Sequence, residues 1–480
     1  MHARLVTPAR ALDPEYWRSL CPELHVGDEA FTESVRAMSD VGSGDGFAQD
    51  VRARIIERGF TKIPSHALPW RTTNHRALAR AAMRLMQHGW NPTWLLVYDE
   101  AWAVARELSA FVFETTGNRL NHDALLWHVG VHDAAPTAFS PHRDRQPDDA
   151  RSTFREDGTA MYATAWVPLT DAGPENSCLC FVPAPDDPGY VNGDDDGDGG
   201  DDGDDGGDDG DDGGDGAATD EDDGREGAFG SAEKPPRETD PLRLALPNKE
   251  AYQRIASVPA EAGSVVVFTH RVIHWGSAPP PPTPPSYGET HEPRVCVSFG
   301  FADEAYEPAY LRRGDGGRDD APFPRLRARV ALVAAQMVSY HERFACDAKT
   351  LGLFHALITG CGSERANESG ASASKAVATE SANRAFFLCP KYKRGVLREY
   401  VRAAAELGAE KASAVERERG CGDDLDDDGD DSDAMEDVMD NALEAMLEAQ
   451  MAGRIDEFED DFDAIAAEEA TRCSRKKRRR

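Results

Sequence analysis

Apolar and polar residues follow a helical period in the first and last thirds of the chain and a strand period in its middle. DGFAQDVRARIIERGFTKIP predicts a helix, a turn at Gly59 and a strand at Phe60–Ile63. Between residues 124 and 182, and again between 263 and 301, short apolar runs such as TAMYATAWVPL are separated by Pro and Gly, which predicts a series of strands. We therefore predict an α+β fold, with a double-stranded β-helix (jelly roll) core and flanking helices.

This change of period divides the 480 residues into four predicted parts. They are a helical lead-in (1–120), the jelly-roll core (121–310), a helical extension (311–410) and an acidic amphipathic tail that ends in a basic cluster (411–480). An insertion at 193–235 interrupts the core. It begins with a run of only Asp and Gly, which cannot bury apolar surface, so the insertion is predicted to be disordered. This run lacks the apolar residue of calcium-binding repeats, which disfavours a calcium site.

The composition limits the partners that the protein is expected to bind. Lys and Arg number 53 and Asp and Glu 87, a formal net charge of −34, so broad binding to nucleic acid or anionic membrane is not expected. The nine cysteines include no C-x-x-C pair, which disfavours a zinc knuckle or a disulfide framework. Since we find neither a secretory signal nor an apolar run long enough to span a membrane, we predict a soluble intracellular protein, cytoplasmic or nuclear and not secreted.

The segment SPHRDRQ carries the first candidate chemistry. If His142 and Asp144 lie on one strand, residues i and i+2 point to the same face, and the imidazole and the carboxylate converge. An H-x-D pair is common by chance, and most such pairs are surface residues or packed polar groups. The catalytic loop of protein kinases also begins with His-Arg-Asp, but it requires an Asn where this chain has Asp149, so we reject that alternative.

A second histidine, His274, ends the run GSVVVFTHRVIH and gives the pair a partner. Two histidines and one carboxylate on facing strands form the facial triad that holds non-haem Fe(II) and leaves positions open for a chelating co-substrate and dioxygen. His270 competes for the same role, but the spacing from Phe268 and the following WGS favour His274. Arg294, at the head of the next strand, can offer a planar two-point contact to the distal carboxylate of 2-oxoglutarate.

Four segments in this order resemble the phytanoyl-CoA dioxygenase-like Fe(II)/2-oxoglutarate oxygenase family. They are SPHRDRQ, ATAWVPLTDAGPENSCLCFVPAPDDPGY, AGSVVVFTHRVIHWGSAP and EPRVCVSFGF. The resemblance covers about residues 50–310 and implies Fe(II) as cofactor and 2-oxoglutarate as co-substrate. The chain departs from the family pattern in the proline run PPPPTPP, which leaves the choice of substrate open.

The resemblance also assigns roles to individual residues. It implies that His142, Asp144 and His274 ligate the iron and that Arg294 binds the C5 carboxylate of 2-oxoglutarate. It also implies that Trp166 and Ser277 line the co-substrate pocket. The alternative interpretations are a simple core residue for Trp166 and a turn residue for Ser277. Relatives that halogenate have a small residue in place of the carboxylate, so Asp144 favours hydroxylation of a small organic substrate, with release of succinate and CO₂.

The C-terminal tail is the basis of a competing hypothesis. Met, Leu, Ile and Phe recur at helical spacing from Met435 to Phe462, which predicts an acidic amphipathic helix. This helix either packs on the protein's own domain or docks into a protein partner, and in the second case the chain is an interaction protein on an oxygenase fold. The final RKKRRR resembles a nuclear-localisation cluster, with a solvated charge run as the alternative. The complete triad together with Arg294 favours the enzyme.

Overall fold

The computed structural model describes ten stretches of the chain, namely residues 6–38, 45–71, 73–130, 140–147, 149–194, 241–276, 292–313, 323–344, 346–360 and 386–419. Several sequence predictions lie outside these residues: Ser277, most of the insertion, the acidic tail and the basic cluster. The chain divides into two compact units, Met1–Gln336 with Ala356–Tyr392, and Met337–His355 with Lys393–Arg480. The division into four parts drawn from the sequence stays a prediction.

The described helices lie before, between and after the strands. They are α1 (Pro8–Ala11), α2 (Pro14–Leu20), α3 (Glu29–Met38), α4 (Asp45–Arg58), α5 (His75–Gln87), α6 (Asp99–Thr116), α7 (Gly189–Asn192), α8 (Pro241–Ala245), α9 (Lys249–Tyr252), α10 (Leu326–Ser339), α11 (His341–Phe344), α12 (Ala348–Gly360) and α13 (Pro390–Arg419). None of these helices is long and apolar enough to cross a bilayer.

The strands form two main sheets and one separate pair. They are β1 (Phe60–Ile63), β2 (Arg119–Val129), β3 (Tyr162–Pro168), β4 (Leu179–Phe181), β5 (Ala256–Val258), β6 (Val265–Thr269), β7 (His274–Gly276), β8 (Arg294–Ala302), β9 (Leu311–Arg313) and β10 (Phe386–Leu388). The larger sheet has the order β1-β6-β3-β8-β2, the smaller one has the order β5-β4-β7, and β9 pairs with β10. All pairings are antiparallel.

The path of the chain between the two main sheets identifies the architecture. From β3 to β4 the chain leaves the larger sheet for the smaller one, returns at β6, leaves again at β7 and returns at β8. Alternation between two antiparallel sheets is the topology of a jelly roll. On the opposite side α4 contacts β1 and β6, and α6 contacts β2, so helices flank the larger sheet. The predicted α+β fold with a jelly-roll core is confirmed.

The helix, turn and strand predicted around Gly59 are also confirmed. Helix α4 ends at Arg58, and the N–H of Gly59 donates to the Ile55 carbonyl at 2.8 Å. Gly59 has φ +80°, a conformation that glycine adopts without steric penalty, and a Cβ there would lie 3.0 Å from a methyl group of Val272. The turn therefore delivers the chain directly into β1 at Phe60.

Aromatic side chains hold the two sheets together next to the predicted ligands. Phe60 of the larger sheet stacks on Phe181 of the smaller sheet with ring centroids 4.2 Å apart, and Phe268 meets Phe181 edge-on at 5.5 Å. Such pairs contribute about 0.5–1.5 kcal/mol each beyond the area they bury. The Phe268 ring also lies 4.4 Å from the ring of His274. The core therefore packs directly against a candidate ligand and restricts its movement.

Candidate metal centre

Backbone pairing brings the two histidines together. The N–H of His142 donates to the His274 carbonyl at 3.1 Å, and the N–H of His274 donates to the His142 carbonyl at 3.0 Å. Because directly opposed residues of an antiparallel pair point their side chains the same way, the two rings lie side by side, with centroids 4.4 Å apart. The alternation of side chains along a strand predicts their convergence if His142 and Asp144 share one strand. In the structure His142 forms an isolated bridge and Asp144 lies in a bend.

The three side chains offer one ligand atom each to a common point. The Nε2 atoms of His142 and His274 lie 3.7 and 3.5 Å from Oδ1 of Asp144. All three ligand atoms lie within 4.8 Å of one another. A cation about 2.1 Å from each of its ligands requires neighbouring ligands to be about 3 Å apart, so small side-chain shifts suffice to bind one. The donor set of two imidazoles and one carboxylate fits the facial triad of non-haem iron.

Hydrogen bonds orient each of these side chains. Nδ1 of His142 lies 2.7 Å from the Ser140 carbonyl, and Nδ1 of His274 lies 3.1 Å from the Val272 carbonyl. A carbonyl can only accept, so each Nδ1 carries the proton and each Nε2 keeps its lone pair for a metal.

Asp144 is oriented by a residue that sequence reasoning missed. The Thr164 hydroxyl donates to Oδ2 of Asp144 at 2.7 Å, which leaves Oδ1 to face the imidazoles. Thr164 lies on β3 two residues before Trp166, on the same face of the strand. The only signal in the sequence was this alternation in ATAW, and the bend at Asp144 that brings the carboxylate to Thr164 was not predicted.

Burial and neighbouring groups set the charges of the centre. Burial is the main cause that lowers the pKa of His274 to about 4, so this imidazole is neutral near neutral pH and able to ligate a metal. Burial acts in the opposite direction on Asp144, but the two imidazoles and the Thr164 hydroxyl outweigh it and hold the pKa of Asp144 below its usual value. The site therefore presents the negative carboxylate of Asp144 beside the neutral imidazole of His274.

His270, the competing histidine, lies away from this point. Its Nδ1 is 3.2 Å from the Tyr162 carbonyl and its Nε2 is 2.8 Å from the Thr153 hydroxyl, so both ring nitrogens are engaged. Burial lowers its pKa to about 4. The structure groups His274, and not His270, with His142 and Asp144.

Arg294 and Trp166 lie together on the inner face of the larger sheet. Arg294 is the first residue of β8 and only 3 % exposed, and its Nη1 donates to Oγ of Ser177 at 3.0 Å. The guanidinium carbon lies 5.9 Å from the Trp166 ring centroid. Nε of Arg294 is buried and has no hydrogen-bond partner among the described residues. A buried donor without an acceptor costs about 1–3 kcal/mol, so this side chain is suited to an anionic ligand.

A second group of potential ligand atoms, His341, Glu342 and Glu406, lies in the other unit. Its two carboxylates are exposed, and Arg402 lies among them, with Nη2 2.5 Å from Glu399 and 3.8 Å from Glu342. The guanidinium of Arg402 already balances the charge of these carboxylates, so we interpret the group as an ion-pair network and not as a metal site.

The fold and the donor set together define a class. A jelly roll that brings two histidines and one carboxylate to one point is typical of non-haem iron oxygenases. Residues 53–279, a little under half of the chain, match the model of the phytanoyl-CoA dioxygenase family, and this part of the chain is a domain of that family. The predicted family is confirmed. The family uses Fe(II) and 2-oxoglutarate. The matched residues include His142, Asp144 and His274, while Arg294 lies beyond them.

Several solved structures that contain 2-oxoglutarate are similar to this chain at low sequence identity. The epimerase SnoN from nogalamycin biosynthesis, in complex with Fe³⁺ and α-ketoglutarate, is 18 % identical, with 54 % of this chain and 85 % of that chain covered and a TM-score of 0.33. HygX from Streptomyces hygroscopicus, with nickel and 2-oxoglutarate bound, is 12 % identical, with 55 % and 89 % covered and a TM-score of 0.31. EctD from S. alaskensis is 11 % identical, with 53 % and 75 % covered and a TM-score of 0.29. Comparison with curated protein sequences gives no match.

Proposed function

We propose that this protein is an Fe(II)/2-oxoglutarate-dependent dioxygenase whose iron is held by His142, Asp144 and His274. The observation that carries the proposal is the convergence of their three ligand atoms, each oriented by a hydrogen bond from behind. Membership of residues 53–279 in the phytanoyl-CoA dioxygenase family supports the choice of iron.

Arg294 is the proposed anchor for 2-oxoglutarate. Its guanidinium is already bonded to Ser177 on one side and has an unsatisfied Nε on the other, which fits a carboxylate oxygen. Trp166 lies between Arg294 and Thr164 on the same sheet face, so we propose that its ring forms one wall of the co-substrate pocket. Ser277 lies outside the described residues, and its role stays a prediction from the sequence.

Each residue then has a role that follows from its position. Iron with bound 2-oxoglutarate supplies the activation of dioxygen, with conversion of 2-oxoglutarate into succinate and CO₂. The chain holds the ligands in a fixed arrangement and shields the site with the aromatic core at Phe268. Thr164 keeps one oxygen of Asp144 directed at the metal, and Arg294 orients the co-substrate from its far end.

We propose hydroxylation of a small organic substrate as the reaction. The reason is the carboxylate at Asp144, because a small residue there leaves a position free for the halide that halogenation requires. Asp144 occupies that position and is held by Thr164, so the arrangement favours hydroxylation.

The competing hypothesis, an interaction protein that docks through its acidic tail, depends on residues outside the described part of the chain. The described site supports the enzyme instead. Arg294 has a buried donor without an acceptor among the described residues, which is unfavourable unless a ligand binds there. The three oriented side chains converge on one point, as a metal site requires.

The test is the release of succinate from 2-oxoglutarate by the full-length protein with a panel of candidate substrates. His142→Ala and Asp144→Ala should abolish substrate-dependent succinate release. His66→Ala, which replaces an exposed histidine far along the chain, is the matched control and should retain it. Undiminished turnover in both ligand variants would refute the assignment.

A further inference from the structure

Arg143 lies between two proposed ligands and faces away from the metal point. Its side chain is fully buried, and its hydrogen bonds within the described part of the chain are to residues other than His142 and Asp144. Instead it binds Asp187, Asp194 and the carbonyl of Arg271. The segment that carries His142 and Asp144 is therefore anchored to the rest of the domain by the charged side chain of Arg143, on the side away from the metal centre.

The chain segment around His142 and the segment around His274 each donate a hydrogen bond to the backbone of the other. Nη1 of Arg143 donates to the backbone carbonyl of Arg271, three residues before His274. Nη1 of Arg271 in turn donates to the backbone carbonyl of Arg145 at 3.2 Å, one residue after Asp144. Each segment thus supplies an arginine that binds the backbone of the other, in addition to the direct pairing of the two histidines.

Two carboxylates, those of Asp187 and Asp194, complete the arrangement. Asp187 accepts from Nη1 and Nη2 of Arg143 at 2.6 and 3.0 Å, and Asp194 accepts from Nε at 2.8 Å. Asp194 also lies 3.5 Å from Nη2 of Arg271. Two cations and two anions therefore form a closed group, which we call the clasp: Arg143, Arg271, Asp187 and Asp194. Burial opposes the charge of Arg143, but the two carboxylates outweigh this and raise its pKa above the usual value.

The clasp also fixes the start of the Asp/Gly insertion. Arg271 donates to the carbonyls of Gly189 and Tyr190 in α7, at 2.8 and 3.2 Å. A Cβ at Gly189 would lie 2.8 Å from Nη2 of Arg143 and 2.3 Å from Oδ1 of Asp194, so only glycine allows this approach. Asp194 belongs by sequence to the run of Asp and Gly, but it is a counter-ion with only 12 % of its side chain exposed.

We propose that the clasp is a positioning device for the metal centre, in which Asp194, the first acid of the insertion, controls how tightly the two ligand segments hold a metal. The inference rests on the proposed function. Its physical basis is that the segments carrying His142 and His274 meet at a short bridge, and the clasp supplies the additional bonds that fix their separation. Residues that orient metal ligands typically alter metal affinity by 10- to 100-fold when replaced.

Asp194→Asn is the most informative variant. Asparagine keeps the shape but presents an NH₂ donor to guanidinium groups that can only donate, so it loosens the clasp without emptying the site. Asp186→Asn is the matched control, because Asp186 precedes Asp187, is a quarter exposed and pairs with Arg254 at 3.2 Å, outside the clasp. The control removes the same charge nearby and so measures any effect of charge alone.

The experiment titrates Co(II) into the full-length protein and its two variants and records the visible absorption bands of the bound ion. We expect Asp194→Asn to bind Co(II) about tenfold more weakly, with shifted bands, and Asp186→Asn to match the wild type in both respects. Thermal unfolding of the metal-free proteins confirms that both are folded at the titration temperature. Asp194→Glu, which keeps two acceptor oxygens, should recover part of the affinity.

The outcomes separate the clasp from the proposed function. If the wild type binds Co(II) but folded Asp194→Asn shows the same affinity and bands, the clasp is structural only and the inference is overturned. If Asp186→Asn weakens binding equally, the effect is one of charge and the positioning role is also overturned. If the wild type binds no Co(II), the proposed metal centre itself fails.

Discussion

Two buried arginines near the candidate metal centre have opposite hydrogen-bonding states. Arg143, in the clasp, meets two carboxylates and a carbonyl. Arg294, on the inner face of the larger sheet, donates to Ser177, and its Nε is buried without an acceptor among the described residues. The hydrogen-bonding groups of Arg143 are satisfied within the chain. Because burying an unpaired donor is unfavourable, the surroundings of Arg294 are suited to an added anionic ligand. The difference distinguishes Arg143, which stabilises the fold, from Arg294, which we propose binds 2-oxoglutarate.

The largest expected effect is on stability, at Arg143. Arg143→Met leaves Asp187 and Asp194 buried without their main partner and should lower the free energy of unfolding by about 3–5 kcal/mol. Arg52→Met, which breaks an exposed pair with Asp157, is the control and should cost at most about 1 kcal/mol. Urea unfolding of the metal-free proteins measures both. If Arg143→Met lowers the free energy of unfolding no more than Arg52→Met does, the clasp does not stabilise the fold and the contrast between Arg143 and Arg294 fails.

The second effect, at Arg294, is on binding. Arg294→Met removes a charged partner of the 2-oxoglutarate carboxylate and should weaken 2-oxoglutarate binding about 10- to 100-fold, the equivalent of one strong charged hydrogen bond. Its free energy of unfolding should change by less than that of Arg143→Met, since the wild-type Nε is unsatisfied. Anaerobic titration of 2-oxoglutarate in the presence of Fe(II), paired with urea unfolding, gives both values. Unchanged affinity would show that this arginine is not the anchor.

A smaller effect, on metal affinity, is expected at Thr164, which orients the carboxylate of Asp144. Thr164→Val is close in shape but removes the hydrogen bond to Oδ2 of Asp144 and should weaken Co(II) binding about tenfold. Thr164→Ser keeps the hydroxyl and should restore most of the affinity. If valine and serine give the same affinity, the carboxylate is oriented by something other than this bond.

The smallest effect concerns acid sensitivity at His270, a histidine whose two nitrogens are both engaged. Burial lowers its folded pKa to about 4, below the usual value of about 6.5, so the neutral form stabilises the fold. This contribution is fully present above pH 6.5 and is lost as the pH falls towards 4. His270→Gln should therefore flatten the fall in stability over that interval, as measured by urea unfolding at several pH values. An unchanged slope would indicate that other groups cause the acid sensitivity.

The three proposed metal ligands could be predicted from the sequence because their pattern is local. His142 and Asp144 stand two residues apart, and His274 ends an apolar run that reads as a strand. Gly59 and the strand after it were predictable for the same reason, since a glycine between a helical period and a strand period marks a turn.

The supporting residues were not accessible, because each depends on contacts between distant parts of the chain. Thr164 meets Asp144 only through the bend at Asp144 and the register of β3. Asp194 stands in a run of acids that reads as solvated, and only the path of α7 brings it to Arg143. The unsatisfied Nε of Arg294 is a property of the packed side chains, and no pattern of residue types reports it.

The most direct test of the central claim is an anaerobic titration of Fe(II) and 2-oxoglutarate into the full-length protein, followed by visible absorption. Our prediction is a charge-transfer band that requires both additions, is absent in His142→Ala and needs more 2-oxoglutarate in Arg294→Met. A folded wild-type protein that gives no such band at saturating Fe(II) and 2-oxoglutarate would contradict it.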